Sequence, residues 1–435
     1  MYYFDNAATT AQKPEAVAQA VYNVLSSGTV GNPSRGAHGY ALKAYGIVLQ
    51  AKDDVKALFH CGPEYDVAFT HNSTAALNMV LKGLIHPGDG VLTTSWEHNA
   101  VLRPLYQLEA QGVSLAFIAS DSPGGALQYD TMEERLTPRT KWFVCNHASN
   151  VTGNVLDLPR IKAFCQRHHL GLIVDVSQTA GAIDVDLSDG IVTAACFTGH
   201  KSLYGPGGTG GIVIRRDAAV TPYITGGDGV HSFEREQPSA VPGVFEAGTA
   251  NVAGIAGLDA GMKQLLDGGV AAAAAHQEAL ARIFVPAVQA IPGIRLYGDF
   301  SGPRVGVYSL NIGDAESAVV SDILWQTYQM ATRPAYHCAP LIHQALGTAV
   351  QGTVRFSFSQ FTTADAVRAG RLQLWFAVEH RSGREKASFL PFGARAHRHP
   401  LNEADAEGTR LRQTDEILDL VVIDTAHQDA VELCV

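Results

Sequence analysis

The chain has 435 residues, enough for two or three domains, and its 46% hydrophobic and 17% charged residues are typical of a globular protein. A formal net charge of −10 without a basic stripe argues against nucleic acid and against an anionic membrane surface as partners. No apolar run reaches the ~18 residues of a membrane-spanning helix, and no secretory signal is visible, so we expect a cytoplasmic protein.

Short apolar segments alternate with helical patterns between residues 66 and 215. Strands are predicted at 66–70, 90–94, 142–145, 171–175 and 194–197, with helices over 77–84 and 101–108. Buried strands separated by helices predict an α/β fold with a mostly parallel sheet covered on both faces. Ligands bind beyond the carboxyl ends of such strands, which directs attention to the residues just after each strand.

The pattern changes near residue 250 and predicts a smaller α+β domain. Helices are predicted over 252–266 and 269–290, followed by strands at 304–312 and 352–357 and a helix over 364–377. The ranges we assign are 13–250 for the large domain, 1–12 and 251–380 for the small domain, and 381–435 for a C-terminal extension of unknown role.

Two charged residues lie at the ends of predicted buried strands: Lys201 follows one strand, and Asp175 ends another. Lys201 precedes a glycine-rich segment, 205–211, which is not a Walker A loop because the lysine comes before the glycines. Its amine suits a cofactor that carries a carbonyl group, although a solvated loop lysine is the alternative. Asp175 ends an apolar strand, where a carboxylate needs a cationic partner such as a protonated pyridine nitrogen. A structural aspartate that caps the next turn is the other interpretation.

Polar residues also stand at two predicted helix starts. Ser73 and Thr74 lie between a strand and a helix, where they could bind a phosphate group or simply cap the helix. His98 follows the strand at 90–94 and could stack on a planar cofactor and move protons. The alternative interpretation, an ordinary core or surface histidine, has equal weight at that position.

A cysteine and an arginine near the end of the chain complete the candidates. Cys338 follows His337 and lies near Arg333, and cationic neighbours would lower the pKa of its thiol, although an inert thiol is the commoner state. No Cys-x-x-Cys pair exists among the six cysteines, so we expect no metal site and mostly buried, reduced thiols. Arg355 lies in a predicted strand and would bind a substrate carboxylate or form an internal salt bridge.

In this order the motifs resemble those of the class V, fold type I pyridoxal-phosphate family, and more closely those of cysteine desulfurases and selenocysteine lyases. The resemblance extends over about residues 1–380, with matching segments at 4–10, 35–38, 146–153, 198–211 and 245–249. The short segment 337–340 is similar to the group II branch, whose cysteine lies on a short, ordered loop. Ala335 and Tyr336 depart from the glycine-containing segment expected before the cysteine.

The resemblance implies pyridoxal 5′-phosphate as cofactor, with Lys201 as its Schiff-base lysine. The implied cofactor contacts are Asp175 at the pyridine nitrogen, Gln178 and Asn150 at the ring hydroxyl, His98 on the ring, Ser73, Thr74, Thr198 and His200 at the phosphate, and Thr249 from the second subunit of a homodimer. The implied substrate contacts are Arg355, Arg333, His38, Asn6 and Ala7.

The implied activity is that of a cysteine desulfurase. L-cysteine would become L-alanine, with Lys201 removing the α-proton, His98 acting as acid, and Cys338 carrying the sulfur as a persulfide to an acceptor protein. The first alternative is a selenocysteine lyase that acts on L-selenocysteine. A class V aminotransferase or β-lyase is the second alternative.

Overall fold

The computed structural model describes residues 1–34, 36–122 and 124–381, all within one compact unit, Met1–Glu385. Almost all of the predicted C-terminal extension, 381–435, therefore lies outside the described residues. The helices are α1 (Glu15–Ser26), α2 (Gly39–Leu58), α3 (Ser73–Leu84), α4 (Asn99–Glu109), α5 (Leu158–Arg167), α6 (Val252–Gly268), α7 (Val270–Gln289), α8 (Ser317–Tyr328), α9 (Pro340–Leu346) and α10 (Ala364–Arg381). The strands are β1 (Tyr2–Tyr3), β2 (Tyr65–Thr70), β3 (Gly90–Thr94), β4 (Ser114–Ile118), β5 (Thr140–Asn146), β6 (Gly171–Asp175), β7 (Val192–Thr198), β8 (Gly210–Arg215), β9 (Ile294–Tyr297), β10 (Val307–Ile312), β11 (Met330–Ala331) and β12 (Val354–Ser357).

A seven-stranded sheet in the order β2-β8-β7-β6-β5-β3-β4 forms the centre of the fold. The five strands from β7 to β4 are parallel, whereas β8 is antiparallel to both of its neighbours. The predicted α/β fold with a large, mostly parallel sheet is confirmed. The sequence did not predict β4 and β8 of this sheet, nor the strand β9 in the second half of the chain.

Both faces of the large sheet are covered, which explains why its strands are continuous apolar runs. Successive side chains of a strand point to opposite faces. In β6, Leu172 and Val174 belong to an apolar cluster that includes α5 and α6. Ile173, between them, belongs to a second cluster that includes α3 and α4. Helix layers on both sides thus hold β6 and its neighbours in place.

A smaller antiparallel sheet, β12-β10-β9, follows in the second half of the chain. Its aromatic cluster includes Phe284 of α7, Tyr308 of β10 and Phe356 of β12, and Phe4 from the N-terminus packs in the same cluster. The strand β1 pairs in parallel with β11, so the N-terminal segment joins this part of the fold. The division into residues 13–250, 1–12 and 251–380 stays a prediction.

Within the described part of the chain, no helix is both long and apolar enough to cross a membrane. Residues 1–34, 36–122 and 124–381 also contain no cluster of three or more His, Cys, Asp or Glu side chains that could hold a metal ion.

Candidate active site

The carboxyl edge of the large sheet brings together predicted residues from several strands. Asp175 is the last residue of β6 and Thr198 the last residue of β7. These two strands are parallel neighbours, so both residues lie at the same edge of the sheet. Lys201 follows Thr198 after a two-residue turn, and His98 is the last residue of the segment that leads from β3 into α4. The edge predicted to bind a ligand is therefore the place where these side chains meet.

Lys201 and Asp175 interact electrostatically in a buried setting. Burial lowers the pKa of the Lys201 amine to about 8, although the attraction of Asp175 opposes this shift. The nearby positive charge of Arg355 contributes to this lowered pKa. Burial raises the pKa of Asp175, against hydrogen bonds from the Ser177 backbone N–H (2.9 Å) and hydroxyl (2.5 Å) to Oδ1. The structure thus combines a buried lysine of lowered pKa with a buried carboxyl group of raised pKa.

His98 has a fixed orientation and a fixed protonation state. Its Nδ1 accepts a hydrogen bond of 3.0 Å from the Ala100 backbone N–H and so caps α4. Burial, together with the charges of Lys201 and Arg355, lowers the pKa of the ring to about 3. The imidazole is therefore neutral, with its proton on Nε2, and lies within the electrostatic reach of Lys201.

Glu97, which sequence reasoning passed over, supports this edge from inside the protein. It is fully buried, and its Oε1 accepts hydrogen bonds from the Thr94 hydroxyl (2.6 Å) and the Asn146 backbone N–H (3.2 Å). Burial raises its pKa to about 8, so the carboxyl group is mostly protonated at neutral pH. The side chain joins the ends of β3 and β5 just before His98. The sequence holds no signal for this role, because a single glutamate is normally exposed.

The first turn of α3 lies beside the end of β7. Asn72, and not Ser73 or Thr74, caps the helix, because its Oδ1 accepts a hydrogen bond of 2.8 Å from the Ala75 N–H. Gly210 pairs with Thr198, and a Cβ at Gly210 would lie 2.8 Å from the Cα of Asn72, so the two segments are in contact. The Thr198 hydroxyl is buried without a hydrogen-bond partner among the described residues. A helix N-terminus beside an unpartnered hydroxyl fits a phosphate group.

The backbone of His200 connects this candidate phosphate-binding site to the N-terminal segment. Its backbone carbonyl accepts hydrogen bonds from the Thr10 N–H (3.1 Å) and the Lys13 Nζ (3.3 Å). Burial lowers the pKa of its imidazole to about 4, and Lys201 and Lys13 contribute to the shift. The ring is therefore neutral and can act as a hydrogen-bonding group at neutral pH.

A second group of predicted residues surrounds the guanidinium of Arg355. This side chain is 3% exposed, and its Nη2 lies 3.1 Å from Oδ1 of Asp5. Its Nη1 donates to the Asn150 carbonyl (3.1 Å), and its Nε is buried without a partner among the described residues. Arg333 pairs with Arg355 through the backbone and brings its Nη1 to 3.8 Å from the other oxygen of Asp5. Sequence reasoning left Asp5 unassigned, although it quoted the motif that contains it.

The N-terminal motif connects the two groups. The Asn6 amide donates to the Ser357 carbonyl (2.9 Å), and the Ala7 N–H donates to the Ser357 hydroxyl (2.8 Å). The Gln178 amide in turn donates to the Ala7 carbonyl (3.3 Å). Gln178 follows β6 and Ser357 ends β12, so the motif spans the gap between the two sheets and brings Asn6 and Ala7 to the site.

Cys338 lies on a loop with an unusual backbone. Ala335, His337 and Cys338 have φ angles of 77°, 49° and 53°, in the left-handed region that favours glycine. The Asn150 amide donates to the His337 carbonyl (2.7 Å), and the Asn99 N–H donates to the Cys338 carbonyl (2.7 Å). Because Asn99 follows His98 directly, these bonds hold the cysteine loop against the carboxyl edge of the large sheet. The thiol is half-buried and not part of a disulfide.

The charge beside Cys338 differs from the prediction. Burial lowers the pKa of His337 well below its usual value, and its Nε2 contacts the Thr353 hydroxyl at 3.0 Å. His337 is therefore neutral and cannot supply the expected positive charge. The guanidinium of Arg355 is instead close enough to interact electrostatically with Cys338.

Two predicted residues are not brought to the site within this chain. His38 is exposed and caps α2 through a contact of 3.3 Å with the Ala41 N–H. Thr249 is exposed on the segment that precedes α6. Their assigned roles stay predictions, and the motif at 35–38 includes a residue outside the described part of the chain.

The comparisons with known proteins agree with this geometry. The sequence model described as aminotransferase class V matches residues 2–369, and the chain belongs to that family. It is 32% identical over 383 residues to cysteine desulfurase CsdA of Escherichia coli, a match that covers 84% of this chain and 91% of the relative. It also resembles probable cysteine desulfurases of Mycolicibacterium paratuberculosis and Mycobacterium leprae, at 29% identity each, but spans only 54% and 60% of their lengths.

Solved structures of the same kind share the fold. The apo cysteine desulfurase of Thermococcus onnurineus NA1 matches with a TM-score of 0.79 at 26% identity, covering 87% of this chain and 95% of that one. Cysteine desulfurase CsdA of Escherichia coli, in an S-sulfonic acid form, matches with a TM-score of 0.77 at 28% identity, covering 87% and 94%.

Proposed function

We propose that this chain is a pyridoxal-phosphate-dependent cysteine desulfurase, which converts L-cysteine to L-alanine and takes the sulfur onto Cys338. One observation carries the proposal. The loop that bears Cys338 is hydrogen-bonded to the residue after His98, beside the edge of the sheet where Lys201 and Asp175 interact. A thiol, a lysine of lowered pKa and a buried carboxylate therefore belong to one site. The names of the relatives support the same activity.

The residues present fit pyridoxal phosphate. The Thr198 hydroxyl, His200 and the first turn of α3 with Ser73 and Thr74 would hold the phosphate. Around the ring, the residues would be Asp175 at the nitrogen, Gln178 and Asn150 at the hydroxyl and His98 on one face, with Thr249 of a second subunit completing the phosphate end. When bound, the cofactor supplies an electron sink for the bonds at the substrate Cα.

The protein's own groups then have separate tasks. Arg355 binds the substrate carboxylate with help from Arg333. Lys201, whose pKa of about 8 leaves part of it neutral at pH 7, accepts the α-proton. The Cys338 thiolate forms an S–S bond to the substrate sulfur while the Cβ–S bond breaks, and the carbon fragment takes up protons to become alanine. His98 Nε2–H is the candidate proton donor at that step.

Two other activities share most of this machinery. A selenocysteine lyase would depend less on Cys338, because selenolate leaves more readily than thiolate. A class V aminotransferase or β-lyase would need no thiol and would give a keto acid. The ordered position of Cys338 and the names of the relatives favour the desulfurase.

Exposed apolar side chains support a homodimer. Helices α1 and α2 expose large hydrophobic residues, namely Tyr22, Leu25, Tyr40, Leu42, Tyr45 and Leu49. Exposed large apolar side chains in such numbers are commonly covered by a partner chain. A second copy of the chain would cover these helices, and a protein would accept the persulfide sulfur. The five cysteines in the described part of the chain are free thiols, which suits the cytoplasm.

The test removes the thiol and leaves the cofactor site intact. Cys338→Ala should keep the visible absorption of bound cofactor but lose sulfide release from L-cysteine by roughly 100-fold or more. Cys61→Ala is the matched control, because Cys61 is also a half-buried thiol but lies outside the site. Sulfide release by Cys338→Ala at the wild-type rate would contradict the proposal. Selenium release from L-selenocysteine at the wild-type rate by the same variant would indicate a lyase, and a keto acid would indicate an aminotransferase or β-lyase.

A further inference from the structure

The candidate phosphate-binding site has no positively charged side chain among its predicted residues. Ser73, Thr74, Thr198 and Thr249 are uncharged. His200 is neutral, because burial lowers the pKa of its imidazole to about 4. A phosphate group carries about −1.5 to −2 charges at neutral pH, and the N–H groups of the first turn of α3 offer only a partial positive charge. The predicted residues therefore leave most of the phosphate charge unbalanced.

Lys13 brings an ammonium group to the turn that carries His200. Its Nζ donates hydrogen bonds to the Thr10 hydroxyl oxygen (3.0 Å) and to the His200 carbonyl (3.3 Å). The Thr10 hydroxyl donates to the same carbonyl and to that of Lys201, at 3.1 and 3.2 Å. The positive charge of Lys13 also contributes to the lowered pKa of the His200 imidazole. Lys13 is therefore fixed beside the candidate phosphate-binding site.

Lys13 differs from other buried lysines of the chain in its partners. Lys52 is buried and pairs with Glu246 at 2.6 Å. Lys162 is buried and pairs with Asp189 at 2.8 Å. Lys13 is half-buried, and its hydrogen-bond partners among the described residues are two neutral oxygen atoms.

A third donor of this ammonium group is left over, because an ammonium group has three N–H donors and Lys13 uses two of them. A cation that is removed from water without a counter-ion costs free energy, and burial accordingly lowers the pKa of Lys13. An anion bound nearby would favour the charged form. The surroundings of Lys13 are thus those of a lysine whose counter-ion is a bound ligand.

We propose that Lys13 is a further cofactor-binding residue, which supplies positive charge to the phosphate group held at Thr198 and His200. The inference rests on the proposed function, because it takes the phosphate of pyridoxal phosphate to be the anion at this site. Lys13 acts by electrostatic attraction, which is stronger in a partly buried site than in water. It takes no part in the chemistry at the substrate Cα.

The experiment compares two aldehydes that differ only in the phosphate group. The full chain is freed of cofactor, and dissociation constants of pyridoxal 5′-phosphate and of pyridoxal are measured from the absorption of each bound compound. Both compounds react with Lys201, so damage to its turn affects both constants alike. The ratio of the pyridoxal constant to the pyridoxal-phosphate constant therefore measures the contribution of the phosphate. Lys13→Met removes the charge at similar length, and we expect this ratio to fall roughly three- to tenfold.

Two further variants separate the charge of Lys13 from its hydrogen bonds. Lys13→Arg keeps a positive charge, so its ratio should stay within about twofold of the wild-type value. Lys13→Gln keeps a hydrogen-bond donor but carries no charge, so its ratio should fall as it does in Lys13→Met. Lys13→Gln also keeps the test open if Lys13→Met does not fold.

The matched control is Lys56→Met on α2. Lys56 is also a half-buried lysine, but it pairs with Asp66 at 3.5 Å, away from the site. Its replacement removes the same charge from the chain, and no change in the ratio is expected.

Two results would overturn the inference. A wild-type ratio in both Lys13→Met and Lys13→Gln would show that the charge of Lys13 does not act on the phosphate. A fall in Lys13→Arg as large as that in Lys13→Met would show that Lys13 only supports the turn.

Failure of the proposed function would look different. A wild-type chain that gives no absorption with pyridoxal phosphate would refute the cofactor, and the role of Lys13 with it. A wild-type chain that binds the cofactor but releases no sulfide would refute only the desulfurase activity, and the ratio in Lys13→Met would still decide the role of Lys13.

Discussion

The two ends of the candidate site are built in different ways. At the cofactor end, Asp175 and Thr198 are the last residues of adjacent parallel strands, and hydrogen bonds of the sheet fix their spacing. At the thiol end, Cys338 lies on a loop in which three non-glycine residues have left-handed backbone angles. Each such residue costs about 1 kcal/mol or more relative to an ordinary conformation.

The loop keeps this conformation because distant parts of the chain hold it. Asn150 and Asn99 donate to its carbonyls, and the Thr353 N–H donates to the Ala335 carbonyl (3.1 Å). The cofactor end therefore depends on the regular core of the large sheet. The thiol end depends on a few hydrogen bonds and close contacts, and substitutions near it should affect sulfur transfer without affecting cofactor binding.

The largest effect is expected at the cofactor end. Lys201→Ala should remove the absorption of covalently bound cofactor and reduce sulfide release by roughly 1,000-fold or more, because both the attachment group and the base are lost. Lys56→Ala, in an ion pair with Asp66 away from the site, is the control. A Lys201→Ala variant that retains the absorption and the rate of the wild type would refute the assignment of Lys201.

A smaller effect is expected when an added methyl group displaces the loop that bears Cys338. A Cβ at Gly352 would lie 2.8 Å from the Cα of Ala335, and Gly352 itself has a φ of 65°. Gly352→Ala should therefore displace the loop and lower sulfide release roughly 10- to 100-fold while the cofactor absorption stays unchanged. Gly347→Ala separates the two causes, because Gly347 has a φ of 71° but no atom within 4 Å of its added Cβ. Equal losses in both variants would mean that backbone strain, and not contact with the loop, is responsible.

The cofactor end is formed by strand ends, which a sequence pattern can indicate, whereas the thiol end is formed by long-range contacts, which it cannot. Asp175, Lys201 and His98 each lie at the end of an apolar run or after it, and the rule that ligands bind beyond parallel strands directs attention to them, although their roles came from the family resemblance and stay predictions. Asp5 meets Arg355 only after 350 residues of chain have folded, so no local pattern reveals that pair. The neutral state of His337 also depends on its burial, whereas its place beside Cys338 in the sequence had indicated a charge.

The strands β8 and β4 were not predicted because their local sequences do not look like buried strands. The strand β8 begins with Gly210 and Gly211, which in the sequence look like part of a phosphate-binding loop. In the structure a Cβ at Gly211 would lie 2.5 Å from the Phe197 ring, so close packing of β7 on β8 requires the glycine. The strand β4 is a half-buried edge strand and lacks the continuous apolar character of its neighbours.

The smallest expected effect concerns acid stability of the thiol end. His343 of α9 is buried, its Nδ1 lies 2.7 Å from the Thr348 hydroxyl, and its ring centroid is 5.7 Å from that of His337. Burial lowers the pKa of His343 to about 4 from a model-compound value of 6.5. Below pH 6.5 the unfolded chain takes up a proton that the folded protein does not, so the free energy of unfolding decreases as the pH falls from 6.5 toward 4.

His343→Gln removes this titration and keeps a hydrogen-bonding side chain. Between pH 7.5 and pH 5.5 the variant should lose about 1 kcal/mol less unfolding free energy than the wild type, which denaturant unfolding at the two pH values can resolve. The sulfide-release rate at pH 7.5 tests whether the loop keeps its place in the variant. If both proteins lose the same free energy on acidification, His343 is not neutral in the folded protein and the buried histidine pair does not make the thiol end sensitive to acid. If the variant loses less, part of the acid sensitivity of the folded protein lies in the packing around His343 and not at the strand ends that hold the cofactor.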